Sequence, residues 1–597
     1  MFREYLREHS MAALLAGGRP RLFPDMDDRD AWENIPEALK NEIAAAAAQF
    51  RKAEYPLLKA SQFMAFFRDG SRTAWEAPYF ARRRKLILAA LDACIRGDGA
   101  RLDEVVDGIW LVCEETSWVL SAHNDAGPAF AGAVLPDAEN PVIDLFAGQT
   151  AMILSLVCTL LGGHLDAVSP LIRRRVRREV EARILLPFER RDDFWWMGVV
   201  RSDLNNWTPW IVSNVMLTAA LWVEDRPRLA ALLERGCLML DRYLDCVPAD
   251  GGCDEGAAYW GMAGGALLDA LELLERLTDG RMAFWTDDKI RGIMLYPLRA
   301  WVTGRWFVNF ADCDARPNMY GERLQFAGRR IQCEGLVALG ARFPGGVAQM
   351  LDDTPQLWRL LNLLFHPVEP AADAPLERDV WIESLQLRIA RRGASTLVCK
   401  AGHNGDSHNH NDVGAFMLYR DGEPVILDAG NMVYTRKTFS EARYTLWNTR
   451  SMYHNVPLIG GVEQRAGLEF AARGVERLPD GMRMDIAPAY PPEAEIDVAA
   501  RAFAIGEDGA VTLTDDIALR REAPVEWVFM LRRAPRVDGQ GLVSGGVRIA
   551  PDVPLAIAVE EIPVEDPRMA LTFPGSLWRA RFIAAPSMRH RVTFTVA

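Results

Sequence analysis

Three of the chain's nine histidines, His403, His408 and His410, fall within the segment 402–414, GHNGDSHNHNDVG. Residues i and i+2 of an extended strand share a face, so His408 and His410 are expected to converge on one small volume. Asp428 follows in the apolar run VILDAG, where an unpaired carboxylate is costly, and His454 follows in YHN. Imidazoles with one carboxylate suit zinc, with manganese as the alternative. Three protein ligands plus an open position also describe a catalytic zinc, so spacing leaves both a structural and a catalytic role open.

Other polar islands sit in helical surroundings. Asn205 and Asn206, in DLNNW, stand where a helix begins, and an N-cap worth about 1 kcal/mol is the plain alternative for either. The second island, DGGCDEGAAYW, carries Glu255 and Tyr259. Glu255 is expected to orient Tyr259 or a sugar hydroxyl, or to favour the next helix's N-terminus. His123 and Asn124 in SWVLSAHN, with Trp118, are candidates to line a cleft, against a core Trp and a cap Asn. Asp312 and Asp314 in NFADCDARPN read as a turn that reaches substrate. Arg436, Lys437, Arg443 and Arg450 offer a basic wall for an acidic ligand, although each alone also fits a solvated charged loop.

The elements that must position these residues change character along the chain. From about 36 to 365 the apolar residues recur at i, i+3, i+4 and i+7, as in 36–50, 81–95, 102–120, 142–163, 171–190, 227–247 and 261–277. About a dozen helices with short connections imply antiparallel helical hairpins. After the Pro/Ala-rich 368–376 the pattern becomes short, alternating and β-like, punctuated by DG, GG and PG turns. The expected fold class is α+β multidomain: an incomplete α/α toroid over 1–370, then an antiparallel β-sandwich-like domain over 371–597 that carries the metal site.

Half of the 597 residues are apolar and a quarter are charged, a globular profile. The net charge of −13 argues against nucleic acid or an anionic membrane as partner. Nine scattered cysteines without a CxxC pair read as buried thiols. No apolar run reaches the roughly 18 residues of a membrane span. The start lacks a signal-peptide core, so a cytoplasmic location is expected, or periplasmic if a leader was removed.

Asn-Asn-Trp before a helix, DGGCDEGAAYW, and SHNHNDVGAFMLYRDGEPVILDAGNMVY followed by YHN together resemble the heparinase II/III family of polysaccharide lyases, over most of the chain. The resemblance implies a toroid and a β-sandwich-like domain. It implies a catalytic set of Asn206, Tyr259 and His408, with Asn206 neutralising the substrate carboxylate and Tyr259 handling the proton. It implies His410, Asp428 and His454 as ligands of one structural divalent metal, usually zinc. Asn205, Trp207, Glu255, His123 and Arg443 are expected at the substrate. Several members carry a His after that Asn where this chain has Trp207, so a second helical-domain histidine as base is in question.

The expected activity is β-elimination on uronic-acid-containing glycans, foremost glycosaminoglycans such as heparan sulfate, hyaluronan or chondroitin, or their oligosaccharides. Tyr259, if its surroundings make it phenolate-like, would take the C5 proton and deliver one to the departing O4. An alginate or oligoalginate lyase and a non-catalytic carbohydrate-binding homologue are the alternatives. The partner is an acidic glycan, with a homodimer left open.

Overall fold

The computed structural model describes residues 1–125, 130, 132–352 and 354–597. By internal contacts the chain forms two compact units. The first comprises 1–247, 261–290 and 319–373, and the second 248–260, 291–318 and 374–597. Against the expected division at 370/371, the main break falls after Asp373, and two segments of the helical half join the β unit. Those two segments hold Glu255, Tyr259, Asp312 and Asp314.

The first unit is built from helices whose sequences set their depth. Leu145–Leu160 is apolar on every side and almost wholly buried, as is Trp207–Trp222. The buried Asp144 caps the first of these, accepting from the backbone N–H groups of Phe146 and Ala147. Helix Thr73–Arg96 buries charge as well: Arg83 forks onto Glu115 at 2.7 and 3.1 Å, and Arg82 reaches the same carboxylate at 3.0 Å. Among the described residues no single helix is long and apolar enough to cross a membrane.

Local differences from the sequence expectation have physical causes. The helix expected over 102–120 ends at Cys113. The one expected over 171–190 widens into a π turn at Glu181–Leu185, just before Pro187, whose ring and missing N–H disturb the preceding turn. Helices Phe2–Glu8 and Ala60–Asp69 add to those expected. Two short strands, Trp301–Thr303 and Trp306–Phe307, pair antiparallel within the stretch expected to be helical.

In the second unit, stretches read as separate strands fuse. Val511–Leu531 and Ser576–Val596 are each 21 residues long and pair antiparallel along most of their length. Residues 511–519 alternate buried and half-buried, the period of a strand with one face on a core. That core is aromatic: Phe529 meets Phe594 edge-on at 5.1 Å and Phe582 at 5.5 Å. On the other edge of Val511–Leu531, Leu531 pairs with Ile426 of strand Glu423–Ile426, which ends two residues before Asp428.

Candidate active site

His408 and His410 do not lie on a strand. The segment between His403–Asn404 and Phe416–Arg420 is a turn, and His408 itself adopts a left-handed backbone, φ +56°. A residue in that region turns the chain, so the expected strand alternation fails, yet both imidazoles still reach one carboxylate, that of Asp312. His403 is pulled away to Asp406, at 3.3 Å, with 38 % of its side chain exposed.

Each polar residue of the SHNHND run has a holding partner. Ser407 N–H donates to Asp254 (3.0 Å), and the Asn409 amide donates to Asn411 Oδ1 and the Tyr444 hydroxyl. Asp412 accepts from the buried Lys400 ammonium at 2.6 Å. Arg443, expected at the substrate, is instead buried: it donates to the carbonyls of His408, Asn409 and Thr438 and pairs with Asp312. It therefore clamps the turn.

A polar cluster forms around His408. Its Nδ1 lies 2.9 Å from Asp312 Oδ2 and 3.2 Å from the Tyr434 hydroxyl, and its Nε2 lies 3.3 Å from Glu255 Oε1. Tyr259 packs its ring 4.9 Å from the imidazole and hydrogen-bonds its hydroxyl to that of Tyr434. Burial works against an imidazolium at His408, but Asp312 and Glu255 outweigh it and bring its pKa up to about 9. Burial would also raise Asp312, yet the bonds from His408 and His410, with the Arg443 charge, hold its carboxylate well below the usual range. Burial, then Tyr434 and Glu255, push the Tyr259 phenol well above its ordinary value. The surroundings thus keep Tyr259 protonated rather than phenolate-like.

Tyr434 closes the Tyr of the DxGxxxY run but was given no role on sequence; its position there was the available signal. Arg568 was missed entirely. It forks onto Asp314 at 2.8 and 3.1 Å, and its guanidinium lies 5.6 Å from the Tyr434 ring with about a third of the side chain exposed. Asp312, read as a turn residue, proves central.

Two glycines in the motifs are explained by close approach. Gly256 (φ +84°) and Gly430 (φ +66°) flank Cys313: a Cβ at the first would lie 2.7 Å from the cysteine side chain, and at the second 2.5 Å from its carbonyl.

His410, Asp428 and His454 form a buried group whose ligand atoms all lie within 4.8 Å of one another. His410 Nδ1 and His454 Nε2 are buried without hydrogen-bond partners, while His454 Nδ1 lies 2.7 Å from Asp428 Oδ2. Buried nitrogens left unpaired beside a carboxylate are the donor set a divalent cation takes. Asp428 is further fixed by the Gly430 N–H at 2.8 Å.

The remaining expected residues lie in the helical unit. Asn206 precedes helix Trp207–Trp222 and is mostly buried, but its side chain caps nothing. Asn205 Oδ1 instead accepts from Trp207 N–H. The Trp207 ring lies 4.7 Å from His123, whose Nδ1 is 2.8 Å from the buried Asp144. Trp207 therefore packs against a histidine from another segment that a buried Asp holds.

Residues 375–540 match the family described as heparinase II/III-like, C-terminal. No curated protein matches the sequence. Among solved structures the chain resembles heparinase III, 12 % identical with TM-score 0.63, over 100 % of this chain and 91 % of that one. It also resembles heparan sulfate lyase HepC from Pedobacter heparinus, 14 % identical with TM-score 0.58, over 100 % and 86 %. Chondroitin AC lyase from Streptomyces coelicolor A3, in complex with chondroitin sulphate, is 12 % identical with TM-score 0.55, over 96 % and 82 %. The fold is the expected one, a helical toroid followed by an antiparallel β domain.

Proposed function

We propose that this chain, whose residues 375–540 match the heparinase II/III-like C-terminal family, is a polysaccharide lyase that cleaves uronic-acid-containing glycans, glycosaminoglycans or their oligosaccharides foremost, by β-elimination. The observation that carries the reading is the line of hydrogen bonds Tyr259–Tyr434–His408, with His408 held by Asp312. The solved structures of similar fold named for heparan sulfate and chondroitin lyase activity support the substrate class.

Elimination must remove the C5 proton beside a carboxylate whose charge opposes carbanion formation. His408, made a stronger base by Asp312 and Glu255, takes that proton in its neutral form. The electron pair forms the C4–C5 double bond as the C4–O4 bond breaks. Tyr259, a phenol at rest, donates its proton to the departing O4, and Tyr434 is placed to help restore it. Arg568, beside the tyrosine pair, offsets the uronate carboxylate as enolate-like charge develops. His410, Asp428 and His454 would hold one divalent cation, zinc by ligand type, which would neutralise the buried carboxylate and fix the ring orientations.

Incubation with heparan sulfate, hyaluronan, chondroitin and alginate tests this. Ultraviolet-absorbing unsaturated uronate products are expected from at least one glycosaminoglycan. Product from alginate alone moves the substrate to another uronan, and no product from any of them ends the lyase reading.

A further inference from the structure

We propose that Asp312 is the positioning residue that joins the metal triad and the reactive histidine into one mechanical unit. Its carboxylate is almost fully buried and uses both oxygens. Oδ2 takes His408 Nδ1 at 2.9 Å, and Oδ1 takes His410 Nε2 at 3.0 Å together with the Arg443 guanidinium at 2.8 Å.

Each bond selects a tautomer. With His410 donating from Nε2, its Nδ1 carries the lone pair, and Nδ1 is the buried atom left without a partner. With His408 donating from Nδ1, its Nε2 is left for proton transfer on the side of Glu255. A carboxylate behind a ligating imidazole orients the ring and raises its basicity. Here one carboxylate does this for a metal ligand and for a reacting group.

The backbone cannot supply this coupling alone, because the left-handed residue His408 breaks the regular relation between the two side chains. The segment carrying Asp312 is built to hold it still. Ala311 adopts φ +63°, a strained conformation for a residue with a Cβ, immediately before it. Cys313, immediately after, is wedged between Gly256 and Gly430. Asn309 of the same segment donates to the Asp428 carbonyl at 3.0 Å, so this loop touches two members of the triad. An amide at 312 would keep one acceptor and turn a donor toward either an imidazole N–H or Arg443, and a longer Glu would shift both oxygens.

The catalytic half of this inference rests on the lyase reading; the metal half does not. The test uses the full-length chain with Zn2+ alone as probe, in competition with a chelator, and steady-state kinetics on a defined oligosaccharide. Asp312→Asn is expected to weaken Zn2+ binding by about 10- to 100-fold, the usual cost of losing such an outer partner. It is also expected to lower kcat by about 100-fold with KM changed less than about threefold, since it acts on orientation rather than on substrate binding. His408→Ala, by contrast, should abolish turnover and leave Zn2+ affinity as in the wild type. Wild-type Zn2+ affinity in Asp312→Asn, or equal weakening in His408→Ala, overturns the proposal.

Should Asp312→Asn not fold, the wild-type chain with 15N-labelled histidine decides. His408 Nδ1–H and His410 Nε2–H are both expected as exchange-protected signals that shift when Zn2+ is added. A His410 ring protonated at Nδ1 instead rules the arrangement out. If no glycan is cleaved, the zinc and imidazole readouts still stand or fall by themselves.

Discussion

The hydroxyl of Tyr259 is hydrogen-bonded to the hydroxyl of Tyr434, and Tyr434 in turn lies 3.2 Å from His408 Nδ1. Two half-buried phenols in contact disfavour a phenolate on Tyr259, which fits a proton donor at rest.

Removing the Tyr259 hydroxyl should therefore remove the acid. Tyr259→Phe is expected to lower kcat by about 10²- to 10⁴-fold, the range for a general acid–base group. Tyr434→Phe keeps that acid but deletes its partner, for a smaller loss of about 10-fold. Initial rates of ultraviolet-absorbing product measure both. Full activity in Tyr259→Phe would move the acid elsewhere.

The proposed ion site at His410, Asp428 and His454 should contribute to stability as well as to geometry. Stripping a divalent ion leaves Asp428 and two unpaired imidazole nitrogens buried together, an arrangement that costs folding free energy. A chelator is expected to lower the melting temperature and the activity together, and zinc to restore both. Loss of activity at an unchanged melting temperature would assign the ion to the chemistry instead.

Much of this was legible in the sequence, because the helical and strand periods are strong and the histidine run is dense. The left-handed turn at His408 was not, since strand alternation gives no warning that a histidine adopts positive φ. Asp312 was readable only as a turn residue, because its partners lie about a hundred positions away in the chain. Arg443 looked like a substrate contact because charge in a loop suggests exposure, whereas the loop folds that guanidinium inward onto backbone carbonyls. The fusion of strands into Val511–Leu531 and Ser576–Val596 was hidden because irregular pairing interrupts the alternation near Ala523.

In the helical unit, Glu322 is buried with neither carboxylate oxygen hydrogen-bonded, and Arg323 stands 3.7 Å away. Burial, only partly offset by Arg323, raises its pKa to about 7. The native state then keeps this proton between about pH 4.3 and 7, where the unfolded chain releases it, so stability falls as pH rises through that window and levels off above it. The loss is on the order of 3 kcal/mol at pH 8. Glu322→Gln should flatten the dependence and be more stable than the wild type at pH 8 in chemical denaturation. An unchanged pH profile would show that Glu322 is not its source.

The buried pair Arg501–Asp515 anchors both ends of the site motif to the sheet. The guanidinium forks onto the carboxylate with two bonds of 2.8 Å, and its Nη1 donates to the carbonyls of Gly414 and Asn455 at 2.9 and 2.8 Å. Gly414 ends the histidine run and Asn455 follows His454, while Trp527 Nε1 donates to the same Asp515 oxygen at 2.8 Å. Truncating one partner leaves a charge or several carbonyls buried and unpaired, so Arg501→Leu is expected to cost about 3–5 kcal/mol. Replacing both residues by apolar ones of similar volume should cost less than either single change, because no lone charge remains. The remaining loss is then in the two carbonyls, and it should appear as a lower kcat at temperatures where the double variant is fully folded. Denaturant titrations of the two single variants and the double variant measure the coupling. Strictly additive losses would mean that the pair acts as two independent residues rather than as one anchor.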